Sequence, residues 1–262
     1  LVITDHHQPS EILPEAAAVV DPHRSDDLSP FKDLCGCGVA LKLIAAMDGG
    51  DYSSALEQFS DLAAIATIAD IVPLKGENRE IVRLGLHYLE NTENAGLQAL
   101  IAAAGLKHPI SSTGAAFSIA PRINASGRFG SASEAVDLLL CEDPDEAAAM
   151  AERLNSLNTE RRKTEAEIME QIRGTILERP EILHRRVLFL YGEGWHHGVI
   201  GIVAAKLVEC FGKPVFILSD DGDFARGSAR SVDGFGIHKA LTACADVLTK
   251  FGGHSGAGCG EA

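Results

Sequence analysis

Hydrophobic and polar positions alternate along this chain in two α/β patterns, separated by one long, heavily charged helical stretch. The first pattern opens on the apolar run LVI at residues 1–3, a short strand that ends at Thr4 and exposes Asp5, His6 and His7 in a row. AAAVVDPH is a second short apolar run closed by a turn, and in CGCGVALKLIAAM glycines open an apolar helix. SSALEQFSDLAAIATIAD predicts a largely buried helix that closes at Asp70, just before the IVPL turn. Further helices are expected near 77–91, 95–104 and 132–141, with STGAAFSIAPRINASGRFG as a glycine- and serine-punctuated connection. Short strands alternating with helices predict an α/β layer built on a parallel sheet.

Residues 143–178 stand apart. Asp143-Pro144-Asp145-Glu146 combines a capping acid, a proline at the first helical position and a glutamate three residues after the cap, a strong helix start. Apolar residues recur at Met150, Leu154, Leu157, Ile168, Ile172 and Ile176 among many charges until Pro180. So thin an apolar stripe predicts a helix joining two domains rather than one sunk in a core. A second α/β pattern follows: RVLFLY as strand, HHGVIGIVAAKLVECF as helix, KPVFIL as strand, ARGSARS as strand or tight loop and FGIHKALTACADVL as helix. The glycine-rich KFGGHSGAGCG is read as a turn. Both ends look cut, which predicts a fragment of a longer protein.

Composition narrows the class. At 262 residues, 46% hydrophobic and 23% charged, the chain can bury one large core or two smaller ones. No run of about 18 apolar residues and no signal-type N-terminus is present, so a cytoplasmic protein without membrane contact is expected. Six scattered cysteines lack the paired spacing of a structural zinc site and suit a reducing compartment. A formal net charge of −14 argues against coating nucleic acid by bulk electrostatics. It leaves room for a cleft in which a few arginines and bound metal ions set the local field.

The candidate chemistry begins at Asp5-His6-His7. Ligands of open α/β sheets sit beyond the carboxyl ends of strands, and this trio lies at such an end. Imidazole with carboxylate suits manganese or a similar divalent ion, and a phosphoester would complete the shell. Successive residues leaving a strand point in different directions, so one histidine is expected on the metal and the other toward substrate. Asp70 ends an apolar helix, where the helix dipole disfavours a carboxylate, so a cation should compensate it. His196-His197 is read as capping the helix that follows.

Six ordered segments, TDHH, IADIVPL, PRINASGR, GWHHGVIGIVAAKL, GSARS and FGGHSGAG, give the chain a close resemblance to the RecJ single-stranded-DNA exonucleases of the DHH phosphoesterase superfamily. That resemblance implies a parallel-sheet DHH domain whose C-terminal part spans residues 1–142. It also implies a connecting helix over 143–180 and a smaller α/β DHHA1 substrate-binding domain, itself truncated, over 181–262. It implies that His6 and Asp70 ligate manganese or magnesium, that His7 contacts the scissile phosphate as general acid or electrostatic stabiliser, and that Asp5 orients the pair. Ser228 and Arg230 would bind a terminal 5′ phosphate, and Gly252, Gly253 and His254 would bring backbone and imidazole to the substrate. Arg122, Asn124 and Arg128 would line the cleft.

The implied activity is metal-dependent 5′-to-3′ hydrolysis of single-stranded DNA in repair and recombination, with a single-strand-binding protein and a helicase as family partners. The family's aspartate motifs upstream of the DHH triplet do not occur here. His6 and Asp70 alone are too few donors for a two-metal site, so little hydrolysis is expected of this chain by itself. Two other readings stand beside this one. A DHH phosphodiesterase of oligonucleotides or cyclic dinucleotides shares the D-H-H and G-G-H segments but is more compact. An inactive scaffold that binds single strands would have no chemical need for Asp5, His6, His7, Asp70 and His254 together.

Overall fold

The computed structural model describes residues 1–10, 12–220, 222, 224–253 and 256–261. Two compact units divide the chain, one comprising 1–126 and 131–156 and the other 127–130 and 157–262.

In the first unit, strands β1 (Val2–Thr4) and β2 (Ala18–Val20) pair in parallel, with Thr4 beside Val20. Four helices follow: α1 (Gly36–Met47), α2 (Tyr52–Ala69), α3 (Gly76–Leu89) and α4 (Ala95–Ala103). Asp51 and Asn94 cap α2 and α4 by accepting from the backbone of Ser54 and Leu97, as residues at N-caps should. The α2–α3 crossing is tight because Gly85 lacks a side chain: a Cβ there would lie 1.9 Å from the Ser60 carbonyl oxygen. Leu34, Val39, Leu41 and Ile81 form one core cluster and Ala64, Ile68, Val82 and Ala115 another.

The glycine- and serine-rich stretch expected to be a connection is helical instead. Ser111 caps a single turn, α5 (Ser112–Gly114), a π-turn covers Ala115–Ile119, and α6 (Ala120–Phe129) continues from it. Pro121 has no N–H to donate and its ring collides with the carbonyl four residues back, and the wider π-turn accommodates both defects. Buried Ala115, Ile119 and Ala125 supply the packing that outweighs weak local propensity. Helix α7 (Ser133–Leu140) then leads to α8 (Pro144–Glu178). Asp143 caps α8 by accepting from the backbone N–H groups of Asp145 and Glu146 at 2.9 Å. Its apolar stripe is buried at Ala147, Ala151, Leu154, Leu157, Ile168 and Ile172.

The second unit is built on a five-stranded mixed sheet in the order β3-β4-β5-β7-β6. β3 (Leu188–Glu193) runs parallel to β4 (Val215–Asp220) and is linked to it by α9 (His197–Phe211). β5 (Ala225–Arg230) is antiparallel to β4. Ile168, Ile172, Leu188, Leu190, Val199, Val203 and Ile217 form the core beneath the sheet. The helix expected from FGIHKALTACADVL is shorter, with α10 (Ile237–Thr242) giving way to a 3-10 turn at Ala245–Val247. The glycine-rich end forms strands rather than a turn, with β6 (Lys250–Gly253) antiparallel to β7 (Ala257–Glu261). A Cβ at Gly258 would lie 2.7 Å from Ile237 and 2.9 Å from Leu241, so the bare backbone here is what lets α10 settle on the sheet. No helix among the described residues is long and apolar enough to cross a membrane, and the six cysteines are unpaired.

Candidate metal centre and anion site

Backbone pairing sets the first site. Asp5 leaves β1 with its N–H donated to the Val20 carbonyl, so its carboxylate sits where both parallel strands end. Asp5 Oδ1 accepts from the backbone of His6 (2.7 Å) and His7 (3.2 Å) and from His7 Nδ1 (2.7 Å). That last contact assigns the proton of a neutral His7 to Nδ1 and leaves Nε2 facing away from Asp5. The His7 hydrogen bond, opposed by burial, holds the Asp5 carboxyl at about 2, well below the usual carboxylate range. Donor atoms of Asp5, His6 and His7 lie within 4.8 Å of one another.

Asp70 joins them from the far end of α2, its Oδ2 3.5 Å from His6 Nδ1. The turn that delivers it is strained: Ile71 has φ +58° and is 89% exposed, a left-handed conformation that a β-branched residue seldom adopts. Gly36, at the start of α1, leaves room for the His6 ring, since a Cβ there would meet His6 Cδ2 at 3.4 Å. Imidazole nitrogens beside carboxylate oxygens suit Mn2+ better than Mg2+, whose preferred shell is all oxygen, and they supply part of one coordination shell. Asp70 also borders a cavity of about 470 Å³ walled by Ile65, Ala66, Ile123 and Asn124. Arg122 lies beside that wall but is committed elsewhere, its Nε donating to Asn155 at 3.0 Å and its Nη1 to the Ser118 carbonyl at 2.7 Å.

The second unit gathers cationic side chains around the first turn of α9. His196 caps this helix, its Nδ1 accepting from the Gly198 N–H at 3.1 Å, and its ring stacks on Phe129 at 4.2 Å. Arg128 Nη1 donates to the Gly198 carbonyl. Arg230 Nη1 donates to the Ala229 carbonyl at 2.9 Å and approaches Ser228 Oγ at 3.4 Å. Neither arginine has a carboxylate partner among the described residues, and burial pushes the basicity of both guanidiniums down, for Arg128 with added repulsion from Arg161 and Arg230. Half-buried, unneutralised guanidiniums beside a hydroxyl and a helix N-terminus are a setting for phosphate oxygens.

Gly198 and Gly201 leave room for these groups, a role that their spacing in the sequence does not announce. A Cβ at Gly201 would lie 2.9 Å from Ser228 Oγ and 3.3 Å from Arg230 Nη2, and one at Gly198 would lie 3.1 Å from Arg128 Cβ. The four-residue span GVIG was the only signal available. Gly252 and Gly253 lie on β6, where Gly253 has φ +146° and its missing Cβ makes room for the Ala257 carbonyl. His254 lies outside the described residues.

A parallel strand pair ending in Asp-His-His, an aspartate delivered by a following helix, and a separate mixed-sheet unit with clustered arginines make up a two-part chain. Residues 1–67 match the family model for the DHH family, N-terminal domain, and residues 184–260 match that for the DHHA1 domain. The chain therefore carries a DHH-type segment followed by a DHHA1 segment. Its relatives include the single-stranded-DNA-specific exonuclease RecJ of Bacillus subtilis (41% identical, over 97% of this chain and 32% of that protein) and that of Dickeya dadantii (35%, 97% and 48%). Among solved structures, RecJ of Thermus thermophilus in complex with Mn2+ superposes with a TM-score of 0.86 at 34% identity, covering 99% of this chain and 38% of that one. An exonuclease RecJ bound to manganese gives 0.79 at 34%, covering 99% and 64%. The chain spans about a third to a half of the length of these curated relatives.

Proposed function

We propose that this chain contributes part of the metal centre and the substrate-binding domain of a single-stranded-DNA exonuclease of the RecJ type, working from a 5′ end. The observation that carries the reading is the Asp5-His6-His7 cluster with Asp70 3.5 Å from His6. His6 and Asp70 hold the metal, Mn2+ or Mg2+. Asp5 accepts both neighbouring N–H groups and fixes the His7 ring. In its imidazolium form, protonated on both ring nitrogens, His7 presents Nε2–H to the scissile phosphate, where it stabilises charge or hands that proton to the leaving oxygen. When bound, the metal supplies Lewis-acid stabilisation of the phosphate and an activated water.

Arg128, Ser228 and Arg230 grip the terminal 5′ phosphate. Arg122 and Asn124 border the path of the strand, and Gly252, Gly253 and His254 approach it. Single-stranded DNA is the partner this reading requires, with a single-strand-binding protein and a helicase as further partners.

A chimera tests it, with this chain replacing the matching segment of the Bacillus subtilis relative. Manganese-dependent release of nucleotides from 5′-labelled single strands, absent from duplex and lost in His7→Ala and Asp70→Ala, is the expected result. A folded chimera that binds single strands without cutting them sinks the catalytic reading.

A further inference from the structure

We propose that Arg161 is a third guanidinium of the anion site in the second unit, and that Glu165 is the positioning residue that holds it there. The inference rests on the terminal-phosphate reading of Arg128, Ser228 and Arg230.

Arg161 and Glu165 sit one turn apart on α8, and both are nearly buried, with side chains 12% and 8% exposed. Glu165 Oε2 accepts from Arg161 Nη1 at 2.9 Å, while its Oε1 takes Lys206 Nζ from α9. Arg161 Nε donates to Oδ1 of buried Asn158 at 3.1 Å. A tether between α8 and α9 needs only Lys206 and Glu165. Arg161 adds a second cation to the same carboxylate, an arrangement costly to bury unless it serves something else. Of the five N–H donors of a guanidinium, those on Nε and one on Nη1 have partners, and the others have no partner among the described residues.

The charge count points to the ligand. Lys206 projects from the same helix whose first turn holds Arg128 through Gly198 and faces Ser228 and Arg230 across Gly201. Arg161 is close enough to Arg128 to lower its basicity. Arg128, Arg161, Arg230 and Lys206 against Glu165 and Glu160, the acid whose charge reaches His196, leave an excess of two positive charges, in a chain whose overall charge is −14. A phosphodiester carries one negative charge, whereas a terminal phosphomonoester carries about 1.5 to 2 near neutrality. The third arginine therefore favours a chain end over an internal phosphate.

The test measures affinity of this chain for a short oligothymidylate bearing either a 5′ phosphate or a 5′ hydroxyl, by fluorescence anisotropy with chelator present. Wild type is expected to prefer the phosphorylated end. Arg161→Gln should cut that preference about tenfold, the loss of roughly one charge-assisted hydrogen bond. Glu165→Gln should cut it as well, and Arg161→Lys, which keeps charge but not the fork, should fall between. Melting temperatures report folding. A folded Arg161→Gln with the wild-type preference overturns the assignment, as does equal weakening for both ends, the signature of a merely structural role. Arg161→Lys decides the matter in the same way if the glutamine variant does not fold. Absence of any preference in wild type overturns this inference together with the phosphate reading beneath it, whereas a preference that survives every Arg161 variant overturns this inference alone.

Discussion

Ile71 holds a left-handed backbone at the residue after Asp70, with almost no burial to offset it. Glycine at this position would remove strain of roughly 1–2 kcal/mol while losing part of that gain to the greater freedom of the unfolded chain. Ile71→Gly is therefore expected to stabilise the protein by about 0.5–1 kcal/mol in urea denaturation; a destabilised variant would show that the exposed side chain is packed in solution. Gly201 is the opposite case, since alanine suits a helix interior better by about 1 kcal/mol, yet its Cβ would press on Ser228 and Arg230. Gly201→Ala should keep the fold and weaken binding of 5′-phosphorylated single strands about tenfold, through displaced charge-assisted hydrogen bonds. Unchanged affinity would mean that Ser228 and Arg230 do not form the phosphate contact. Asp5, His6 and His7 were legible in the sequence because adjacency and a strand end put them together. Gly198 and Gly201 were not, because a missing side chain acquires meaning only from what faces it.

Elements were legible where cap and apolar period agree. Asp143-Pro144 with the stripe through Leu154 and Ile172 announces α8, and α2 follows from its apolar run up to Asp70. Two stretches misled for one reason: glycine and serine lower local propensity without forbidding structure. Over 112–129, burial of Ala115, Ile119 and Ala125 drives the chain helical, with a π-turn ahead of Pro121. In β6 and β7 the small residues let strands pair while α10 presses on Gly258. Neither outcome can be read without the tertiary partner. The cap of α8 can be checked directly, since Asp143→Ala removes the acceptor of two backbone N–H groups. A loss of about 1 kcal/mol is expected by thermal or urea unfolding, and Asp143→Asn should recover most of it; a neutral alanine variant would mean that water satisfies the helix start equally well.

At the scale of the whole molecule, a net charge of −14 and the proposed nucleic-acid substrate look opposed. They are reconciled if the strand is held by a few buried arginines rather than by a basic surface, because counterion release counts only the phosphates actually neutralised. Arg128, Arg161 and Arg230 are clustered cations of the second unit, so at most roughly three phosphate charges are engaged there, at a slope of about −0.7 each for single strands. The logarithm of affinity should then fall with the logarithm of salt concentration at a slope no steeper than about −2, so a fourfold rise in salt weakens binding at most about 16-fold. A protein that coats single strands through a long basic groove loses far more over the same range. A measured slope of about −5 or steeper would require many more phosphate contacts than these arginines can make, and would move the binding surface away from the α9 site. A slope near −2 that becomes shallower by about 0.7 in Arg230→Gln would identify that site as the place where the strand is held.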